Sequence, residues 1–178
     1  LRADTLAIPN HGWINVHYSL LPRFKGASPV QQAILEGEKV TGVTIFELDE
    51  GIDSGSILSA APVQIPDEAN AGALLKALTA VGSTLLVETL RDFESLASGK
   101  TPQETSKEYG LTRKLSRRDA KLDFSLPAAQ LHNLVRAMNP EPMAWFEYAN
   151  SPVRLLASSV LEGMDSSQSV AQLIGSDL

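Results

Sequence analysis

Two polar residues on one short segment, Asn15 and His17, have the types and spacing that carbonyl chemistry uses. Residues 13–17 alternate large apolar with polar side chains after the turn pair His11-Gly12, a pattern that predicts a β-strand. Residues two apart on a strand face the same side, so both side chains can converge on one ligand. An Asn amide donates to a developing oxyanion, and a His donates or relays a proton. Such a pair is also common as structural or merely exposed residues.

Asp53 is a third candidate, because it lies in the turn Gly51-Ile52-Asp53-Ser54-Gly55 between two predicted strands. The flanking glycines give the backbone the freedom to aim a carboxylate at a site. A carboxylate there can hold His17 in its charged form and accept a proton from an attacking amine. The neighbouring Asp49 and Glu50 are interpreted as turn formers only.

The elements that must position these residues alternate between strand and helix patterns. A helix is predicted after Ser28-Pro29 and is expected to end at Gly37, and a long amphipathic helix follows from the apolar spacing after residue 69. The β-branched runs predict strands. The predicted strands cover residues 13–17, 40–48 and 57–65, the predicted helices 28–37, 69–96 and 126–138, and a predicted hairpin covers 145–148 and 153–159.

Composition narrows the classes of site and partner. The chain has 178 residues and 43% apolar content, with three His and no Cys. It therefore has no disulfide or thiolate zinc site, and the His spacing offers no ligand pair, so no metal is expected. No uninterrupted apolar run approaches the roughly 20 residues of a membrane span, and the start lacks a signal-peptide pattern, so we expect no membrane and a cytoplasmic location.

A cluster of positive charge stands out against an acidic chain. The net charge is −6, yet residues 99–160 carry nine basic and six acidic side chains. Such a cluster can bind phosphates by releasing counterions, and it is equally consistent with a solvated basic linker. The candidate nucleic-acid-binding residues are Arg113, Lys114, Arg117, Arg118 and Lys121.

A resemblance to a known family rests on the run Asn15-Val16-His17-Tyr18-Ser19-Leu20-Leu21-Pro22 and on its continuation Arg23-Phe24-Lys25-Gly26-Ala27-Ser28-Pro29. This run resembles the signature of the 10-formyltetrahydrofolate-dependent formyltransferases, and the turn around Asp53 is similar to the family's later catalytic turn. The resemblance implies that Asn15, His17 and Asp53 are catalytic. It also implies that Ser19, Leu20, Leu21 and Pro22 line the site of the folate.

Other stretches resemble the branch of the family that acts on methionyl-tRNA, and the resemblance extends to about residue 160. These stretches are residues 26–34, 42–45, 114–124 and 136–140. The resemblance implies an α/β fold with three parts. Residues 1–99 are the C-terminal half of a Rossmann-like formyltransferase domain built on a parallel sheet, 100–124 a basic linker, and 125–178 the beginning of a small β-barrel-like tRNA-binding domain. An N-terminal portion is expected to be missing.

The implied activity is transfer of a formyl group from 10-formyltetrahydrofolate to the amino group of methionine on initiator tRNA, for translation initiation. The folate is a co-substrate, and the complete enzyme is expected to be a monomer. Three alternatives stay open. They are a formyltransferase that acts on a sugar amine or a purine precursor, a formyltetrahydrofolate hydrolase, and a non-catalytic RNA-binding remnant.

Overall fold

The computed structural model describes residues 1–104 and 109–161 and contains an α/β fold, as expected from the sequence. Residues 162–178 of the expected tRNA-binding domain lie outside the described residues. The long helix is interrupted at Asp92, and the last strand ends at Arg154, earlier than expected. The elements in chain order are α1 (Ala3–Leu6), β1 (Ile14–His17), α2 (Pro29–Leu35), β2 (Val40–Glu47), β3 (Ile57–Gln64), α3 (Ala71–Arg91), α4 (Phe93–Ser98), α5 (Ala128–Met138), β4 (Trp145–Tyr148) and β5 (Ser151–Arg154).

The first three strands form one sheet in the order β1-β2-β3, and both pairs are antiparallel. His17 pairs with Thr44, and Thr44 pairs with Ala60 on the other side. The expectation of a parallel sheet was wrong for these strands. Only residues 48–56 connect β2 to β3, whereas a parallel crossover needs a dozen or more residues.

Helix α3 covers one face of this sheet and determines which way β1 presents its side chains. Leu74 and Leu78 of α3 are buried in the core with Val43, and Val16 packs against them. At Gly82 an added Cβ would lie 3.2 Å from Val16 Cγ1, so the missing side chain lets α3 approach β1 closely. Because Val16 faces α3, the strand's alternation turns Asn15 and His17 to the opposite face of the sheet.

Helix α3 is also long and apolar enough to cross a membrane, judged by length and composition alone. The sequence did not lead us to expect such a segment, because Lys76 and Glu88 interrupt its apolar residues. Core helices of globular proteins meet the same criterion. Leu74 and Leu78 of this helix pack into the core beneath the sheet.

A second core is built around α5 and the β4-β5 hairpin. It includes Ala120 and Leu122, which belong to the segment assigned from the sequence to a basic linker. The Leu122 amide donates to the Trp145 carbonyl (2.8 Å), and the Trp145 amide donates to the Ala120 carbonyl (3.0 Å). The second packed unit therefore begins upstream of residue 125.

Helix α5 also joins the second unit to the first, since it packs on α2. The Arg136 guanidinium is 9% exposed and donates to the Ala69 carbonyl (3.1 Å) and to Asn133 Oδ1 (2.7 Å). Burial lowers the pKa of Arg136. The Gly72 amide donates to the Asn139 carbonyl (3.3 Å). Hydrogen bonds to backbone carbonyls thus tie α5 to the segment between β3 and α3.

The packing of α3 predicts that replacing two leucines three positions apart lowers the stability of the protein by different amounts. Leu78 is fully buried, whereas Leu75 is 43% exposed. We expect Leu78→Ala to lower the free energy of unfolding by about 2–5 kcal/mol, the usual loss for a buried leucine. The control Leu75→Ala is expected to cost about 0.5 kcal/mol. Urea unfolding of both variants checks this, and equal costs would contradict the packing of α3 on the sheet.

Candidate functional site

The two candidate residues of β1 lie on the same face but differ in exposure. His17 is buried, with 6% of its surface exposed, and its Nε2 lies 2.9 Å from the Phe24 carbonyl, to which Nε2–H donates. The edge of the Phe46 ring packs on the imidazole, with the ring centroids 6.3 Å apart. Asn15 is exposed, and its side chain makes no hydrogen bond to any of the residues described. One polar group is therefore held in place and the other is open to a ligand.

Asp53 approaches His17 from the turn between β2 and β3. Its Oδ2 lies 3.7 Å from His17 Nδ1, and the carboxylate side chain is 18% exposed. This distance is within ion-pair range and longer than a hydrogen bond. Because Nε2–H is used by Phe24, the nitrogen that faces the carboxylate is Nδ1. The fold thus brings together two of the three residues predicted to be catalytic, from elements far apart in sequence.

A backbone amide and a side-chain amide hold the Asp53 turn. The Gly26 amide donates to Asp53 Oδ2 (2.7 Å), and Gln103 Nε2 donates to the carbonyls of Asp53 and Gly55, each at 2.8 Å. Asp53 itself has a φ of 49°, in the left-handed region that only some non-glycine residues adopt. Backbone strain of this kind persists where the surroundings determine the conformation, as these bonds do here.

The loop after β1 is attached to the sheet through Thr44, a residue that the sequence did not single out. Thr44 Oγ1 donates to the Ser19 carbonyl (2.6 Å) and accepts from the Leu21 amide (3.1 Å). Thr44 is fully buried directly opposite His17. Phe24, whose carbonyl binds His17, has a φ of 58°. The sequence signals for Thr44 were its hydroxyl within the apolar run of β2 and its place in the resembling stretch 42–45, and neither predicted a contact with the loop.

The four residues expected to line the folate site differ in how accessible they are. Ser19 is fully buried, and its hydroxyl donates to the Arg23 carbonyl (2.6 Å); Leu21 is buried as well. Leu20 and Pro22 are half-buried. Leu20 lies over Gly42, where an added Cβ would come within 2.5 Å of Leu20 Cδ2. Accessible side-chain surface is thus offered by Leu20 and Pro22, and the folate contacts stay a prediction.

The basic residues 113–121 lie on the surface of the second unit. Arg113 forms a bidentate ion pair with Asp119, which holds the pKa of that carboxyl well below its usual range, with help from hydrogen bonds of Ser116. The Arg117 guanidinium lies 5.1 Å from the centroid of the Trp145 ring. These contacts give the segment a folded geometry that a solvated linker does not have.

Among the described residues, three cations of this segment have no ion-pair partner, and one of them, Arg117, lies beside the neutral Trp145 ring. Lys121 Nζ lies 3.4 Å from Glu147 Oε2 and 5.2 Å from the Trp145 ring centroid. Lys114 and Arg118 are exposed, and within residues 1–104 and 109–161 neither side chain has an ion-pair partner. The surface therefore offers Lys114 and Arg118 to an external anion.

Thr112 is a further contact of the site that sequence reasoning missed. Its hydroxyl donates to the Lys25 carbonyl (2.9 Å) and accepts from the Ser28 amide (3.1 Å). Its own amide donates to the Lys25 carbonyl (2.6 Å), and its carbonyl accepts from the Ala27 amide (3.0 Å). The sequence assigns Thr112, like Gln103, to a linker, because the polar composition of residues 100–112 carries no sign of such contacts.

Metal ligation has no candidate in the part of the chain that the structure describes. No group of three or more His, Asp or Glu side chains there could hold a metal ion. The titratable groups that meet at the site are one imidazole and one carboxylate, His17 and Asp53.

Gly26 is the position where the geometry of the site is most sensitive to one added carbon. Its φ is +105°, and an added Cβ would lie 2.3 Å from the Thr112 carbonyl oxygen. We expect Gly26→Ala to lower the free energy of unfolding by at least about 3 kcal/mol, because the strain of the left-handed backbone and the clash with the Thr112 carbonyl add together. The control is Gly12→Ala, because Gly12 has a φ of +72° but open space around it. We expect this substitution to lower the free energy of unfolding by about 1–2 kcal/mol.

Thermal and urea unfolding of the two glycine variants measure this difference. A Gly26→Ala protein as stable as Gly12→Ala would show that Gly26 and Thr112 are not in close contact.

Comparison with known proteins identifies the family of the chain. The family described as "Formyl transferase" matches residues 1–90, and "Formyl transferase, C-terminal domain" matches residues 114–177. A methionyl-tRNA formyltransferase of Chromobacterium violaceum is 40% identical over 165 residues, which are 92% of this chain and 52% of the relative. The chain therefore spans about half the length of this relative.

Solved structures share the fold. An N-formyltransferase from Helicobacter canadensis, in complex with folinic acid and dTDP-3-aminofucose, superposes with a TM-score of 0.66 at 23% identity, over 80% of this chain and 52% of that chain. HypX from Aquifex aeolicus, in complex with tetrahydrofolic acid, superposes with a TM-score of 0.67 at 23% identity, over 80% of this chain and 25% of that chain. With the family matches on both units, these findings establish that the chain belongs to the formyl transferase family.

Proposed function

We propose that this chain is part of an enzyme that transfers a formyl group from 10-formyltetrahydrofolate to the amino group of methionine on initiator tRNA, for translation initiation. The observation that carries the proposal is the convergence of His17 and Asp53 beside the exposed amide of Asn15. The choice of methionyl-tRNA as acceptor is supported by the 40% identical relative of that name and by the unpaired cations of the second unit.

The reaction needs stabilisation of negative charge at one oxygen. The amine attacks the formyl carbon, a tetrahedral oxyanion forms, and the bond from that carbon to N10 of the folate breaks. The amine loses one proton and N10 gains one. Asn15 donates its side-chain N–H to the oxyanion, since its amide has no other hydrogen-bond partner among the residues described.

His17 and Asp53 handle the proton. With Nε2–H bound to the Phe24 carbonyl, Nδ1 is the nitrogen that can take up a proton, and it lies 3.7 Å from Asp53 Oδ2. The His17–Asp53 pair can therefore accept the proton that the amine loses and return it to the leaving N10. The Phe24 carbonyl fixes the ring by binding Nε2–H. The bond at Nε2 keeps Nδ1 turned toward Asp53 through the reaction.

The folate is proposed to bind along the loop of residues 19–22, on the face of the sheet that carries Asn15 and His17. Leu20 and Pro22 present apolar surface to the ligand, and the buried Ser19 and Leu21 hold the loop in shape. Two proteins with the same fold form complexes with folinic acid and tetrahydrofolic acid, which supports a folate as the formyl donor. We propose no metal.

The tRNA is proposed to lie across residues 113–121. Lys114 and Arg118 contact phosphates directly, and Arg117 adds positive potential from its place beside Trp145. Arg113 and Lys121, whose charges are partly offset by Asp119 and Glu147, complete the basic surface. Substrate and site imply a cytoplasmic enzyme, which we propose acts as a monomer.

The test of function is a comparison of acceptors. A chimera in which this chain is completed by the parts of the Chromobacterium violaceum relative outside the matched region is incubated with 10-formyltetrahydrofolate. The acceptors are methionyl initiator tRNA, an amino sugar nucleotide, a purine precursor amine, or water alone. The proposal expects formylmethionyl-tRNA as the main product. Preferential formylation of a small amine would indicate a different formyltransferase. Release of formate without an acceptor would indicate a hydrolase, and tRNA binding without turnover would indicate a non-catalytic RNA-binding remnant.

Removing one donor to the oxyanion should slow the reaction without unfolding the protein. In the chimera we expect Asn15→Ala to lower kcat by roughly 10²–10³-fold, the usual loss for one oxyanion-hole donor. His17→Ala and Asp53→Asn are expected to do similar damage. Single-turnover rates measure this, with circular dichroism as the control for folding. Unchanged turnover in any variant would remove the role given to that residue.

Neutralising two exposed cations, Lys114 and Arg118, should weaken the salt dependence of tRNA binding. Each phosphate contact adds about one unit to the slope of log affinity against log salt, so Lys114→Gln with Arg118→Gln should lower that slope by about 1–2 units. The control Lys39→Gln removes an exposed cation that pairs with Asp67 in the first unit. We expect its slope to equal that of the unmodified protein, and equal slopes in all three proteins would contradict the proposed interface.

A further inference from the structure

Gln103 and Thr112, described residues between α4 and α5, contact the two sides of the Gly26–Asp53 hydrogen bond. Gln103 is 8% exposed and donates to the carbonyls of Asp53 and Gly55. Thr112 is 9% exposed and binds Lys25 and Ser28, the residues that flank the Gly26 loop. Gln103 therefore holds the turn that carries the carboxylate, and Thr112 holds the loop that carries the amide donor.

We infer that Gln103 and Thr112 are positioning residues for the formyl-transfer site, acting through the turn of Asp53 and the loop of Gly26. They lie outside both matched family regions, residues 1–90 and 114–177, and touch neither Asn15 nor His17 through any hydrogen bond in the part of the chain described. The expected effect on the rate of formyl transfer rests on the function proposed above, whereas the expected effect on the order of the loop and the turn does not.

The energetics favour a positioning role for Gln103 over a purely stabilising one. Its Oε1 is buried without a hydrogen-bond partner among the described residues. A buried polar atom left unpaired carries a desolvation cost, which offsets part of what the two donor bonds contribute to stability. What Gln103 supplies is direction, since both amide hydrogens point at carbonyls of the Asp53 turn.

The contacts of Thr112 are equally directional. Four hydrogen bonds join its backbone and hydroxyl to Lys25, Ala27 and Ser28. They surround Gly26, whose amide must point at Asp53 Oδ2 to hold it at 2.7 Å. A shift of about 1 Å in an oriented group can cost 10²-fold in rate. Loss of the Thr112 hydroxyl should therefore affect turnover more than substrate binding.

The experiment compares two variants of Thr112, one of Gln103 and a control in the chimera. Thr112→Val removes the hydroxyl at constant shape, Thr112→Ser keeps it, and Gln103→Met removes both donors. Thr89→Val is the matched control, because Thr89 is 1% exposed and its hydroxyl donates to the Leu85 carbonyl and accepts from the Ser59 hydroxyl (2.6 Å), away from the site. The readouts are kcat, KM for both substrates, melting temperature, and hydrogen exchange of the peptides that contain residues 24–28 and 49–55.

Positioning predicts a split between kcat and KM. Thr112→Val and Gln103→Met should lower kcat by roughly 10–100-fold, with both KM values within about threefold, and Thr112→Ser should retain kcat within about threefold. Exchange should speed up in both peptides for the first two variants. Thr89→Val should lower the melting temperature but leave kcat and exchange in these peptides unchanged.

Two results would overturn the inference. One is a Thr112→Val protein whose melting temperature falls as that of Thr89→Val does, while its kcat and the hydrogen exchange of both peptides stay unchanged. The other is a Thr112→Ser protein as impaired as Thr112→Val. If the unmodified chimera transfers no formyl group to any acceptor, the proposed function fails, and the exchange data alone then decide whether Gln103 and Thr112 hold the Asp53 turn.

Discussion

The hydrogen bond from the Gly26 amide to the Asp53 carboxylate is the interaction on which the site depends. Its donor comes from the loop after β1, its acceptor from the turn between β2 and β3, and the 2.7 Å distance leaves little freedom to either. Gly26 can take its positive φ close to Thr112 only because it has no side chain. With Oδ2 held there, the carboxylate is directed at His17 Nδ1. This one amide thus links the loop to the turn, and the Phe24 carbonyl orients the imidazole beside them.

The sheet supplies the second constraint. Helix α3 packs against the face that carries Val16, and this leaves Asn15 and His17 on the other face, where the loop of residues 18–28 crosses above Thr44. Antiparallel pairing places His17 opposite Thr44, so one hydroxyl holds the loop directly beside the imidazole. The polar groups of this site are therefore positioned mainly by hydrogen bonds with backbone carbonyls and amides.

Features that depend on neighbouring residues could be predicted from the sequence, and features that depend on contacts between distant residues could not. Period-two alternation predicted β1 and the shared face of Asn15 and His17, and the glycine-flanked turn predicted a carboxylate free to be aimed, which the fold brings to His17. Pairing direction was not predictable from alternation, which is the same in parallel and antiparallel strands. Gln103 and Thr112 were missed because Gln103 contacts residues about fifty positions away and Thr112 contacts residues more than eighty positions away. The composition of a polar segment does not indicate which distant residues it contacts. The burial of Ala120 and Leu122 in the second core was hidden by the charges around them.

The most direct measurement of the central interaction is the proton chemical shift of the Gly26 amide, read in the unmodified protein and in Asp53→Asn. A short hydrogen bond from an amide to a carboxylate moves the amide proton strongly downfield, because the acceptor is charged. This structure predicts a downfield Gly26 resonance that moves upfield when Asp53 becomes an amide, while the Gly12 resonance does not change. A Gly26 resonance that is the same in both proteins would show that Asp53 is not held by this amide, and the order of the loop, the turn and the imidazole would then have to come from other contacts.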